Sequence, residues 1–215
     1  MDVVIASLPD YLRGFGVTLI LLGVSGVGAL IIGTVVAAMR ISPVPALRGF
    51  AAAYTEALRN TPLTLVLFFC IFVLPNLGAT IPYITAACIG LTLYTSPFIA
   101  EALRSGVNGV PVGQAEAARS LGMGFGQAVT LVIFPQAFRM VIPPLVNVFV
   151  ALTKNTSVAG GFFVTELFTV GKGLANAHGN AVIPVLLGVA SFYLIVTIPL
   201  GLLSARLEKR WVVAR

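Results

Sequence analysis

The chain alternates long apolar runs with short polar interruptions, and the runs have the length of membrane spans. Residues 14–39 carry no charge, and at ~1.5 Å per residue such a stretch crosses a hydrocarbon core of ~30 Å as a tilted helix. Four further runs, at about 50–74, 82–103, 126–153 and 182–204, complete an expected all-α membrane protein of five transmembrane helices in one domain, 1–215. The interruptions carry turn chemistry: Arg40 to Gly49 holds Pro43 and Pro45, and Pro75-Asn76-Leu77-Gly78 closes the second run. Within the first run Ser25, Ala29, Gly33 and Ala37 recur at every fourth position, which stacks them on one face for close approach of another helix. Pro97 predicts a kink in the third span, and Pro135, Pro143 and Pro144 predict a bent fourth.

The longest polar, glycine-punctuated interval lies between the third and fourth runs. Val112 to Leu121 is rich in helix formers, and Gly122, Gly124 and Gly126 follow with the permissive backbone that ends a helix. A helix that shows Ala117 and Ala118 between Glu116 and Arg119 cannot build a core of its own, and is small enough to sit in a partner's groove.

Composition sharpens the class. Of 215 residues 58% are hydrophobic and 9% charged, with a mean hydropathy of +1.03, far from a soluble domain. The start carries Asp2 and Asp10 and no basic residue, so a secretory signal is not expected and the first run should remain as a span. Cys70 and Cys88 lie in apolar runs without metal-ligand spacing and read as packing residues. Gly28 and Gly33 have phosphate-loop spacing, but Thr34 stands where that loop needs lysine, so no nucleotide site is expected. Arg40, Arg48, Arg104, Arg119, Arg206, Lys209, Arg210 and Arg215 fall on one side of a five-span chain, while Arg13 and Lys172 fall on the other. By the positive-inside rule the N-terminus is outside, the C-terminus is inside, and the 105–125 loop is cytoplasmic.

Glu116-Ala117-Ala118, Gly122 after three residues, and Val132-Ile133-Phe134-Pro135 nine residues later resemble the cytoplasmic loop of ABC importer permeases, E-A-A, G, I-x-L-P, with Val132 and Phe134 as apolar replacements. In that family the loop forms the coupling helix that docks on the ATP-hydrolysing subunit, which assigns coupling to Glu116, Ala117, Ala118, Arg119 and Gly122. Ala57-Leu58-Arg59-Asn60-Thr61-Pro62-Leu63 resembles the R-x-T-P-L stretch of the polar amino-acid permeases. Lys154-Asn155-Thr156-Ser157 resembles their K-D-T-S stretch, Asn155 replacing the usual acid.

The resemblance implies a permease subunit in the inner membrane of a prokaryote, working as half of a homodimer or heterodimer. It implies ABC ATPase subunits that carry the ATP and Mg, an extracytoplasmic binding protein that delivers substrate, lipid around the spans, and no nucleic acid. The substrate is a polar amino acid, glutamate or glutamine first and a basic amino acid as the alternative. The expected substrate path comprises Arg59, Asn60, Thr61, Lys154, Asn155, Thr156 and Ser157. Lysine, amide and hydroxyl groups can meet the carboxylate and polar tail of an amino acid, and charge inside a span is costly enough to mark function. Glu56 and Arg59, three apart, could instead pair and snorkel to the interface, and Lys154 could be an interfacial anchor. Ser96-Pro97 departs from the family's small residues. A short helix is expected around Phe163 to Phe168 in the loop after the fourth span, and the lone His178 there has no assigned role. No catalytic residue and no metal site are expected. A membrane-embedded enzyme would need a paired acid and base or a nucleophile with its base, which one histidine and no aspartate after Asp10 scarcely supply. A stand-alone channel would leave the coupling loop without a purpose.

Overall fold

The computed structural model describes residues 2–78 and 80–211; Arg215 of the basic tail lies outside them. All regular structure among them is helical: α1 (Asp2–Ala6), α2 (Leu8–Ile41), α3 (Pro45–Arg59), α4 (Leu63–Phe68), α5 (Leu74–Asn76), α6 (Tyr83–Asn108), α7 (Val112–Ser120), α8 (Phe125–Gln127), α9 (Phe134–Asn155), α10 (Leu167–Ala177) and α11 (Val182–Trp211). π turns at Phe69–Val73 and Ala128–Ile133 join α4 to α5 and α8 to α9, and a 3-10 segment, Thr156–Phe162, follows α9. Four of these helical stretches are long and apolar enough to cross a membrane, and a fifth crossing is available if the bent pair α3 and α4–α5 counts as one.

That pair departs from the expected continuous second span. Pro45–Arg59 and Leu63–Asn76 meet at 101°. The reason is local: Asn60 closes α3 with φ −96° and ψ 0°, and Pro62 at φ −59° starts α4 without an N–H to continue the ladder. The fourth run, Phe125–Phe162, forms one helical stretch, with a π turn immediately before α9 where Pro135 has no N–H to give.

α2 lies along α6, and α9 bridges α6 and α11. The small-residue face of α2 makes the first contact possible, with Ser25, Ala29, Gly33 and Ala37 all buried. A Cβ at Gly33 would stand 2.7 Å from Ile99 and 2.8 Å from the Ser96 carbonyl, and Ser25 donates to the Cys88 carbonyl at 3.2 Å. Leu21, Leu67, Ile71, Leu91 and Leu152 form the largest core cluster. Pro97 lies inside the continuous α6, and it gives its odd neighbour a role. The Leu93 carbonyl, four residues back, loses its helical donor, and the Ser96 hydroxyl takes its place at 3.1 Å while sharing a 2.6 Å hydrogen bond with Tyr54 of α3. Ser96 thus mends α6 and docks α3 to it.

Candidate functional site

Chain connectivity puts α7 and the 3-10 segment at opposite ends of the bundle, and the candidate residues divide between them. At the α7 end, α2 and α6 finish together. Arg40 stands 3.7 Å from Glu101, which also pairs with Arg104 on its own helix. Arg48 donates to the Ser42 and Pro43 carbonyls at 3.0 Å.

α7 ends as the spacing predicts. Gly122 has φ +78°, its N–H reaches the Arg119 carbonyl at 2.9 Å, and the Met123 N–H reaches the Ala118 carbonyl at 3.1 Å. This is a Schellman closure, with glycine at the left-handed position. Of the five residues assigned to coupling, Ala118 is buried on the side of α7 that meets the π turn Ala128–Ile133, and Glu116, Ala117 and Arg119 are exposed. Around them Val112, Leu121 and Phe125 are exposed by 74%, 82% and 79%. The helix is pinned by one small residue and a glycine turn, and presents a charged and apolar outer surface.

At the break between α3 and α4, Glu56 and Arg59 form no ion pair with each other. The Arg59 guanidinium lies 5.7 Å from the centre of the Phe98 ring. Glu56 accepts from the Asn60 amide at 3.3 Å, which also donates to the Glu56 carbonyl at 2.8 Å. Thr61 donates to the Ala57 carbonyl at 2.7 Å. Thr61 therefore satisfies the Ala57 carbonyl that the break frees, Asn60 adds a second donor to the Glu56 carbonyl that its own N–H already reaches at 3.2 Å, and Arg59 remains exposed.

At the other end, Lys154 is exposed and Asn155 and Ser157 are partly so, whereas Thr156 is fully buried. Neither ion pair found among the described residues involves Lys154. Ser157 donates to the Lys154 carbonyl and Thr156 to the Thr153 carbonyl, both at 2.7 Å. The expected helix at Phe163 to Phe168 begins later, at Leu167, because Phe163 adopts φ +64° and Glu166 caps the helix that follows. His178 closes that helix, its Nδ1 lying 3.2 Å from the Leu174 carbonyl.

Glu166 is the residue that sequence reasoning missed. Its carboxylate is fully buried and accepts from the Phe168 and Thr169 N–H groups at 2.8 Å and from the Tyr193 hydroxyl at 2.9 Å. Burial pushes this carboxyl above its ordinary range, and these same donors pull against the shift. The available signal was an acid directly before an apolar helix in an acid-poor chain, a cap signature. A cleft of about 490 Å³ opens beside it, lined by Asp10, Arg13, Gly14, Thr165 and Thr169 among others, and includes none of the expected path residues.

This architecture of apolar, membrane-length helices joined by short polar segments defines a polytopic helical membrane protein. The chain belongs to the family of binding-protein-dependent transport system inner membrane components, whose pattern matches residues 12–213. It is 44% identical over 219 residues to the glutamate transport system permease protein GluC of Corynebacterium glutamicum, covering 96% of each chain. To the probable glutamine ABC transporter permease protein GlnM of Bacillus subtilis it is 42% identical over 200 residues, covering 93% of this chain and 92% of that one. Among solved structures, an amino acid ABC transporter crystallised with histidines superposes with a TM-score of 0.87 at 28% identity, covering 96% of both chains. The resemblance to amino-acid importer permeases drawn from the three motifs therefore holds along the whole chain.

Proposed function

We propose that the chain is the membrane-spanning subunit of an ATP-driven importer for glutamate or glutamine, coupled through α7 to a separate ATPase and paired with a second permease. The observation that carries the coupling half is the exposed α7. A rigid short helix with Glu116, Ala117 and Arg119 outward, rimmed by Val112, Leu121 and Phe125, is built to seat in a groove. A docked helix of this kind transmits a rigid-body movement that a loose loop would absorb. The relatives named for glutamate and glutamine support the substrate.

Lys154, Asn155 and Ser157, together with Arg59, make the polar path of this reading. Asn60 and Thr61 shape the break beside Arg59, and Thr156 faces inward behind Lys154. An extracytoplasmic binding protein delivers substrate to the α10 end, and ATP and Mg belong to the ATPase. The gathering of Arg40, Arg48, Arg104 and Arg119 toward the α7 end supports a cytoplasmic setting for it in a prokaryotic inner membrane.

The test is reconstitution with the candidate ATPase and binding protein in proteoliposomes. ATP-dependent uptake of labelled L-glutamate or L-glutamine, with the ATPase copurifying, is the expected result. Uptake of neither, or preferred uptake of arginine, refutes the substrate half. For orientation, Ser105→Cys and His178→Cys in a Cys70→Ala/Cys88→Ala background should react with an impermeant reagent from opposite faces. Labelling of both from one face refutes it.

A further inference from the structure

α10 runs back along the start of α2. The Leu167 N–H reaches the Thr18 hydroxyl at 3.2 Å, Val170 lies over Gly14, and Leu174 joins the core cluster of Tyr11. A Cβ at Gly14 would stand 2.8 Å from Val170 and 3.0 Å from the Leu167 backbone, so the helices cross there as closely as glycine allows. The cleft of about 490 Å³ opens beside that crossing and is lined from both helices. Neither the coupling helix nor the substrate path uses it.

The lining changes character along α2. Asp10 and Arg13, three apart and so on one face, bring an exposed carboxylate and an exposed guanidinium. No ion pair among the described residues involves either of them. Gly14 and Val17 follow, and Val170 and Leu174 line the α10 side. Because the two helices run antiparallel, the exposed Thr165 belongs to the Val17 end. From Asp10 to Val17 the helix rises ~10 Å. The uncharged run starts directly after Arg13, so the charged end of the cleft stands at headgroup depth and its apolar floor at the edge of the hydrocarbon. Taken singly, each charge has an ordinary reason: an acid in the first turn of α2 complements the helix dipole, and an arginine at the edge of a span snorkels. Neither reason accounts for opposite charges that line one apolar-floored cleft without pairing with each other.

We propose that this cleft binds a zwitterionic phospholipid. Arg13 takes the phosphate, Asp10 the ammonium, Thr165 donates to a glycerol ester carbonyl, and Val17, Val170 and Leu174 receive the first methylenes. A free amino acid carries the same pair of charges, but it leaves the floor unfilled and is too short to reach from Asp10 to Thr165. An anionic phospholipid satisfies Arg13 and sets its surplus charge against Asp10. The site depends neither on the transported substrate nor on which leaflet the α10 end faces.

The full chain, purified in detergent and stripped of lipid, is titrated with dioctanoyl phosphatidylethanolamine and separately with dioctanoyl phosphatidylglycerol, and bound lipid is counted by native mass spectrometry. The wild type should hold one phosphatidylethanolamine per chain, about tenfold tighter than phosphatidylglycerol, as one charge-assisted contact allows. Asp10→Asn should weaken phosphatidylethanolamine about tenfold and spare phosphatidylglycerol, whereas Arg13→Gln should weaken both by about that factor. Gly173→Leu adds a side chain at a lining position where a Cβ meets nothing within 4 Å, so it should exclude both lipids and leave the crossing at Gly14 intact. If that variant fails to fold, the two exposed charge variants decide. Equal affinity of the wild type for the two lipids overturns the proposal, as does unchanged phosphatidylethanolamine binding in either charge variant. Displacement of bound lipid by excess L-glutamate or L-glutamine also overturns it, and assigns the cleft to a free amino acid.

Discussion

At the α7 end Glu116 and Arg119 face water beside exposed Leu121 and Phe125, whereas at the α10 end Glu166 is sealed from water and its oxygens are met by Phe168, Thr169 and Tyr193. Both ends hold a glutamate next to a short helix. The first leaves its groups unsatisfied by the chain itself, which is what a docking surface does. The second satisfies its groups internally, and so can only hold other residues in place. An exposed polar helix and a buried polar cluster thus carry different kinds of function, and a substitution at one should not imitate a substitution at the other.

The largest expected effect breaks the α7 side alone. Gly122→Val places a β-branched residue at φ +78°, a strain of roughly 1–3 kcal/mol that the helix end relieves by rearranging. The ATPase should no longer copurify and uptake should be abolished, with the permease still in the membrane. Retained copurification and normal uptake would remove α7 from its role. Next comes the path at the α10 end. Lys154→Met keeps the apolar stem and removes the charge; uptake should fall about tenfold, the equivalent of ~1.4 kcal/mol, with assembly and resting ATP hydrolysis unchanged. Normal uptake by that variant makes Lys154 an interfacial anchor.

The smallest effect sharpens the contrast through pH. Burial raises the Glu166 carboxyl, so folding favours its protonated form. That contribution is full below the ordinary carboxylate pKa and is lost as pH rises through the raised value. Melting of the wild type in detergent should therefore lose ground against Glu166→Gln as pH rises above the ordinary carboxylate range, by a few degrees at ~2–4 °C per kcal/mol. A pH-independent difference would show a carboxylate ionised throughout, held by the Phe168 and Thr169 N–H groups and the Tyr193 hydroxyl. The exposed Glu116→Gln should show no such trend.

How far each end could be read from sequence follows from how local its physics is. The α7 stop needs one residue in the left-handed region, and Gly122 announces it within its own turn. The α2 face is equally legible, since Ser25, Ala29, Gly33 and Ala37 need only helical spacing to align. Glu166 is not, because Tyr193 lies 27 residues away and Thr18, which receives the adjacent Leu167 N–H, lies 149 from it. No window of sequence contains that cluster. The break at Asn60 falls between these cases: Asn60-Thr61-Pro62 is turn chemistry in plain view, yet apolar residues on both sides read as one span. Thr156 and Ser157 are neighbours of like chemistry that face opposite ways, and only the 3-10 turn separates them.

The break after α3 also bears on how the chain enters a bilayer. A helix needs about 20 apolar residues to partition on its own, and α3 has 15, with the piece from Leu63 to Asn76 shorter still. Neither half is a self-sufficient insertion unit. α3 rests on α2 and α6, and α4 rests on α6, so the bent pair has its packing partners complete only when the helix synthesised after it arrives. Biogenesis of this bundle is then out of step with translation: the second segment waits at the membrane for α6, and a ribosome stalled before residue 108 should leave it accessible to protease.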